Sequence, residues 1–145
     1  MTEEIAQAAA NLVFLGLEHG IDSIRDGGPL VPFVITELAG VHDVTRFAAG
    51  NLEHAGDLGA SVERAVEHVR SLTLGPDDSA VVAYDGYLST DADGRQDAIF
   101  VEAIDGLGHV AFVAQRYRPK GRLRGFQVLG NPALLPATDA RLGGA

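Results

Sequence analysis

Asp91, Asp93 and Asp97 surround Gly94 in the stretch STDADGRQD, a set of oxygen donors of the kind a hard cation such as calcium takes. An EF-hand loop places donors at positions 1, 3 and 5, a glycine at 6 and a bidentate glutamate at 12. With Gly94 at position 6, Ser89, Asp91 and Asp93 fill the first three places, but the glutamate position holds Phe100. Phenylalanine offers no oxygen, and both flanks pattern as strands. The stretch is therefore expected to be a hairpin end, with no metal and no cofactor. Asp93-Gly94 is a two-residue turn signal, because a type I′ turn needs positive φ at both central residues.

That turn brings a second set of residues into play. If Asp93-Gly94 are the loop, Ala92 pairs with Arg95, and Asp85 falls opposite Glu102 inside two otherwise apolar strands. Opposed carboxylates repel unless they are solvated, protonated or bridged by a cation. Asp85 and Glu102 are thus the candidate catalytic pair, able to hold a divalent ion as in nucleases with a D…ExK pattern. The lysine of that pattern is replaced by Ile104, so a small metal-dependent hydrolase or nuclease stands as the alternative reading.

A third set is basic. The stretch RYRPKGRLR carries five positive charges and no acid. With a three-residue loop at Pro119, Lys120 and Gly121, Arg118 pairs with Arg122 and Arg116 with Arg124. Arg116, Arg118, Lys120, Arg122 and Arg124 would then form a cationic hairpin tip for an anion or an acidic partner. A charged tip that deters sheet-to-sheet aggregation accounts for the same residues. An anion-binding module is the further alternative.

Other chemistry finds less support. The five histidines have no i, i+3 or i+4 spacing to one another, and no HxH, HExxH or carboxylate–histidine cluster occurs. No GxSxG elbow, P-loop or GxGxxG is present. In GDLG (Gly56 to Gly59), Asp57 occupies the place an anion would take and serves better as a helix cap. The chain has no cysteine, which excludes disulfides and thiolate chemistry. Residues 1–115 hold 19 acids and 5 Lys/Arg, a balance of −14 within a net charge of −9. That excess argues against general nucleic-acid binding. No apolar run reaches the ~20 residues of a membrane span, and Glu3 and Glu4 stand where a signal peptide would be basic. A cytoplasmic protein with no membrane contact is expected.

The elements that must position these residues follow from periodicity. Ile5 to Leu17 form a broadly apolar helix that extends through Gly20 to Ile24, with Thr2 as its cap. PLVPFVITEL and VHDVTRFAA pattern as strands joined at Ala39-Gly40, with Pro32 favouring an edge or early strand position. Leu58, Val62, Ala65, Val66, Val69 and Leu72 mark one face of a second helix, ended by Gly75-Pro76. SAVVAYDGYLS, DAIFVEAI, HVAFVAQRYR and RLRGFQVLG then form an antiparallel meander.

The expected fold is α+β, two helices packed on a mainly antiparallel sheet in the order α-β-β-α-β-β-β-β. It forms one domain over residues 1–130, with 131–145 a loosely ordered C-terminal tail. This order resembles that of roadblock and longin-type domains, an analogy of layers alone. The leading functional expectation is a non-enzymatic interaction or regulatory domain. It is expected to form a homodimer through a sheet edge or helix 1, with another protein as a further partner.

Overall fold

The computed structural model describes residues 7–27, 30–47, 55–90 and 94–142. Its elements are α1 (Gln7–Ile24), β1 (Phe33–Leu38), β2 (Val41–Arg46), α2 (Ala55–Arg70), β3 (Ser79–Thr90), β4 (Gly94–Asp105), β5 (Val110–Arg118), β6 (Gln127–Val128), β7 (Ala133–Leu135) and a 3-10 turn, Ala137–Asp139. The order and the α+β class are those expected. All strand pairs are antiparallel, in the order β2-β1-β3-β4-β5, and both β6 and β7 lie along the outer edge of β5.

The sheet is covered on both faces, which its alternation dictates. Val81 and Ala83 of β3 pack with Leu12, Val13 and Leu17 of α1, whereas Ala80, Val82 and Tyr84 pack with Val62, Ala65, Val66 and Val69 of α2. Two cores therefore share one sheet, and each fully buried aliphatic side chain contributes about 1.5–3 kcal/mol. Helix α1 sits close because Gly16 and Gly20, one turn apart, face the strands. A Cβ at Gly16 would touch Val101 at 3.4 Å, and one at Gly20 would meet Ile99 at 3.2 Å. The opposite side of this helix leaves Phe14 and Leu15 exposed.

The turn between β1 and β2 is Ala39-Gly40, with φ of 52° and 79°, the doubly positive geometry of a type I′ hairpin. Alanine is an unusual occupant of that region. The Ala39 amide donates to Asp78 Oδ1 at 3.0 Å, and the Gly75 amide donates to Asp78 Oδ2 at 2.8 Å. These two bonds hold the Asp78 carboxyl below its usual pKa. Pro32 lies just before β1, where its carbonyl accepts from the Phe47 amide at 2.8 Å, and β1 itself is an interior strand.

Two departures from the sequence expectation concern the acids and the C-terminal segment. The β3–β4 register pairs Thr90 with Gly94 and Asp85 with Ile99, a slip of three residues from a loop at Asp93-Gly94. Gly94 has a φ of 68° inside the strand end, so its left-handed backbone serves the flank of a longer loop. Asp91 and Asp93 lie outside the described residues. The second departure is the segment after residue 131. Strand β7 pairs with Phe112, Val113 and Ala114, and Ala140 and Leu142 are buried in the α2-side core. The tail expected to be loose is, over residues 133–142, part of the packed structure.

Candidate functional site

Asp85 and Glu102 do not meet. A slip by an odd number of residues exchanges the faces on which two paired strands present given side chains. Asp85 lies in the alternation of Val81 and Ala83 on the α1 face, and Glu102 lies opposite Val82 on the α2 face. The opposed carboxylate pair, and with it the two-acid metal cradle, is not formed. Among the described residues no group of three or more metal-ligating side chains gathers.

Each acid instead has its own tyrosine. Asp85 Oδ1 accepts from the Tyr117 hydroxyl at 2.8 Å and from the Gly86 amide at 3.0 Å. The residue as a whole is exposed, but its carboxyl lies against protein, and that loss of water raises its pKa despite these two bonds. Tyr117, buried beside it, is raised by burial and then by the Asp85 charge. Glu102 is fully buried, with the Tyr84 hydroxyl on Oε2 and the Leu142 amide on Oε1 at 2.8 Å. Burial and the neighbouring Glu102 push the Tyr84 phenol upward, so its proton stays in place as a donor.

The arginines do not converge either. Strand β6 pairs Tyr117 with Val128 and Arg118 with Gln127, so Arg122 and Arg124 are not opposite Arg118 and Arg116. The Gly121 amide bonds the Arg124 carbonyl at 2.9 Å and closes a turn there. Arg116 bonds Gln96 at 3.2 Å, and Arg118 bonds Gln127 at 3.3 Å. Lys120, Arg122 and Arg124 are exposed in the connecting loop. The long loop between Arg118 and Gln127 breaks the ribbon because RPKGRLRG carries little that a strand would bury.

A cavity of about 500 Å³ opens on the α2 face, lined by Val62, Tyr84, Phe100 and Phe112. Tyr84 stacks on Phe100 with ring centres 5.6 Å apart, and Phe100 tilts against Phe112 at the same separation. Asp85, Asp139 and Arg141 are also among the lining residues, with the Asp85 carboxyl turned to Tyr117 on the α1 face. Arg141 is ion-paired with Glu63, and its guanidinium carbon stands 5.6 Å from the centre of the Tyr84 ring. Gly86 lets Phe100 cover the backbone there, since a Cβ would come within 2.8 Å of that ring.

Periodicity did not reveal a polar row across the α1 face. His42 pairs with Glu37, Glu37 with Ser79, and Ser79 with Asp105, while Asp105 reaches His109 across the β4–β5 turn. His42 Nε2 lies 2.6 Å from Glu37, and His109 Nδ1 lies 2.9 Å from Asp105. Ser79 Oγ, between the two carboxylates, is buried with no hydrogen-bond partner among the described residues. The carboxylate–histidine pairs that sequence spacing did not show thus arise by strand register and by the tight DGLGH turn. Asp105 stands between Ser79 and His109 in this row, so the order differs from that of a serine–histidine–aspartate relay.

The last feature is the edge strand β2, whose six residues are all exposed. The loop-flanking pair of a two-residue hairpin, here Leu38 and Val41, exchanges hydrogen bonds. Val41, Asp43 and Thr45 then turn their backbone groups toward β1, in phase with the Phe47-to-Pro32 bond. His42, Val44 and Arg46 turn theirs outward. Val41 and Val44 are 64% and 41% exposed, large values for apolar side chains on a strand whose outer edge is unpaired among the described residues. Comparison of the chain with protein-family models, curated proteins and solved structures gives no match to any of them, and the likeness of element order to roadblock and longin-type domains gains no support there.

Proposed function

We propose that this chain is a non-enzymatic interaction domain that self-associates by joining the β2 edges of two copies into one continuous antiparallel sheet. The observation that carries this reading is the outward backbone of His42, Val44 and Arg46 on a fully exposed edge strand. Antiparallel partners must both present hydrogen-bonding residues, and a two-fold axis at Val44 is the register in which all three outward residues pair. Val44 then meets its own copy, and His42 meets Arg46 of the partner subunit.

Charge supports the same register. Glu37 lies 2.6 Å from His42, so the partner's Arg46 would arrive beside a carboxylate, twice in each dimer. Val41 and Val44 lose exposed apolar area in the joint. Helix α1 offers Phe14 and Leu15 as a competing surface, but without the directional bonds of an open strand.

Sedimentation velocity at micromolar concentration tests this reading. The wild type is expected to sediment as a dimer and Val44→Glu as a monomer with unchanged circular dichroism, because two glutamates would face each other on the axis. A wild-type monomer overturns self-association. A dimer lost in Phe14→Ser but kept in Val44→Glu moves the interface to α1 and overturns the β2 joint.

A further inference from the structure

We propose that the β2 joint is pH-sensitive: protonation of His42 and His19 loads it with positive charge and weakens self-association in mildly acidic solution. This rests on the self-association reading of the same edge and names its regulation. His42 is paired with Glu37 and Arg46 with Phe33, so His42 and Arg46 both lie on the α1 face of β2. Each of the two imidazoles makes a hydrogen bond whose character depends on its charge. His42 Nε2 lies 2.6 Å from Glu37 Oε1, and a neutral ring that donates there leaves the carboxylate its full charge. Arg46 Nη2 lies 2.8 Å from His19 Nε2, and because a guanidinium only donates, that ring nitrogen is unprotonated.

The charges around the joint decide the sign. With the axis at Val44, His42 and Glu37 meet the partner's Arg46, so neutral rings leave one carboxylate facing one guanidinium. Protonated His42 takes Glu37 for its own ion pair and stands as a like charge against the partner's Arg46. Protonated His19 loses the lone pair that holds Arg46 and repels it instead. Both changes act in one direction, and each occurs twice in a dimer. The neighbouring charges do not reverse it. Asp43 alternates onto the α2 face of β2, and Asp22 of α1 is paired with Arg25 at 3.5 Å. Glu18 precedes His19 in α1 and lies about 100° around the helix from it. The ring packed on His19 is that of Phe33, with centres 4.9 Å apart.

An imidazole changes charge between about pH 5 and about pH 8, so the test compares the dimer constant of the full chain at about pH 7.5 and about pH 5.5. Sedimentation is run in about 0.15 M salt, where a Debye length of about 8 Å screens the general repulsion between two acidic chains. The wild-type dissociation constant is expected to rise roughly tenfold or more on acidification, with circular dichroism unchanged at both pH values. His42→Gln cannot charge, and Arg46→Gln removes the cation that His42 would meet. Each variant is compared with itself, and its ratio between the two pH values should stay within about threefold. A wild-type monomer at the higher pH overturns the β2 reading and takes this proposal with it. A wild-type dimer whose constant does not change with pH, or tightens on acidification, overturns this proposal alone. So does a full pH response in both variants, or loss of the dimer by both at the higher pH, since charge would then be a condition of the joint and not its switch.

Discussion

The amide of Leu142 donates to Glu102 at 2.8 Å across 40 residues of sequence, and this bond ties the C-terminal segment to the middle of the sheet. The same carboxylate takes the Tyr84 hydroxyl. Glu102→Ala would strand two buried donors and is expected to cost about 3–5 kcal/mol. Glu102→Gln keeps an acceptor oxygen and should cost about 1–2 kcal/mol. Urea denaturation measures both. Equal losses would mean that side-chain volume matters here and the two accepted bonds do not.

Two glycines should respond in opposite directions to the same substitution. A Cβ on Gly106 would lie 1.7 Å from the Gly75 carbonyl oxygen, a contact with backbone that no rotamer can relieve. Gly106→Ala is expected to destabilise by about 3 kcal/mol or more. Gly59 lies in helix α2 with open space around it, and Gly59→Ala should stabilise by about 0.5–1 kcal/mol through helix propensity. Thermal or chemical denaturation of the pair checks both signs.

Asp85 sets a pH dependence whose sign follows from burial. Its folded pKa lies above the unfolded value, because loss of water at the carboxyl outweighs the bonds from Tyr117 and Gly86. The folded chain thus keeps a proton that the unfolded chain has released. That stabilising contribution is full below the unfolded pKa and is lost as pH rises through the folded one. Asp85→Asn keeps an acceptor for Tyr117 and carries no such term. Melting temperatures from about pH 4 to about pH 7 should therefore move in favour of the variant as pH rises. A gap that moves toward the wild type would contradict this account of Asp85.

The helices and most strands were legible because their periodicity is strong, as with Val62, Ala65, Val66 and Val69 on one face of α2. The carboxylate pair was misplaced for a local reason. The letters Asp93-Gly94 signal a two-residue turn, but the pairing of Thr90 with Gly94 leaves three residues between them. Nothing in a periodic pattern distinguishes those loop lengths when both flanking strands are buried on two faces. The odd slip then sends Asp85 and Glu102 to opposite sides.

The arginine ribbon failed for a different reason, since alternation assumed a strand through residues 122–126 where the chain makes a turn. Leu142 was invisible to local pattern altogether. Its burial depends on a donor to Glu102 and on the α2-side core, partners that only the folded chain brings near.

The self-association claim is tested most directly by single cysteines, because the natural chain has none. With the axis at Val44, the two copies of residue 44 face each other at about 5.5 Å between Cα atoms. The two copies of residue 41 then stand about 20 Å apart along the joined strands. A short thiol-specific bismaleimide should cross-link Val44→Cys rapidly and leave Val41→Cys largely as single chains. Failure of Val44→Cys to cross-link, or equal cross-linking of both variants, would contradict a dimer joined at β2.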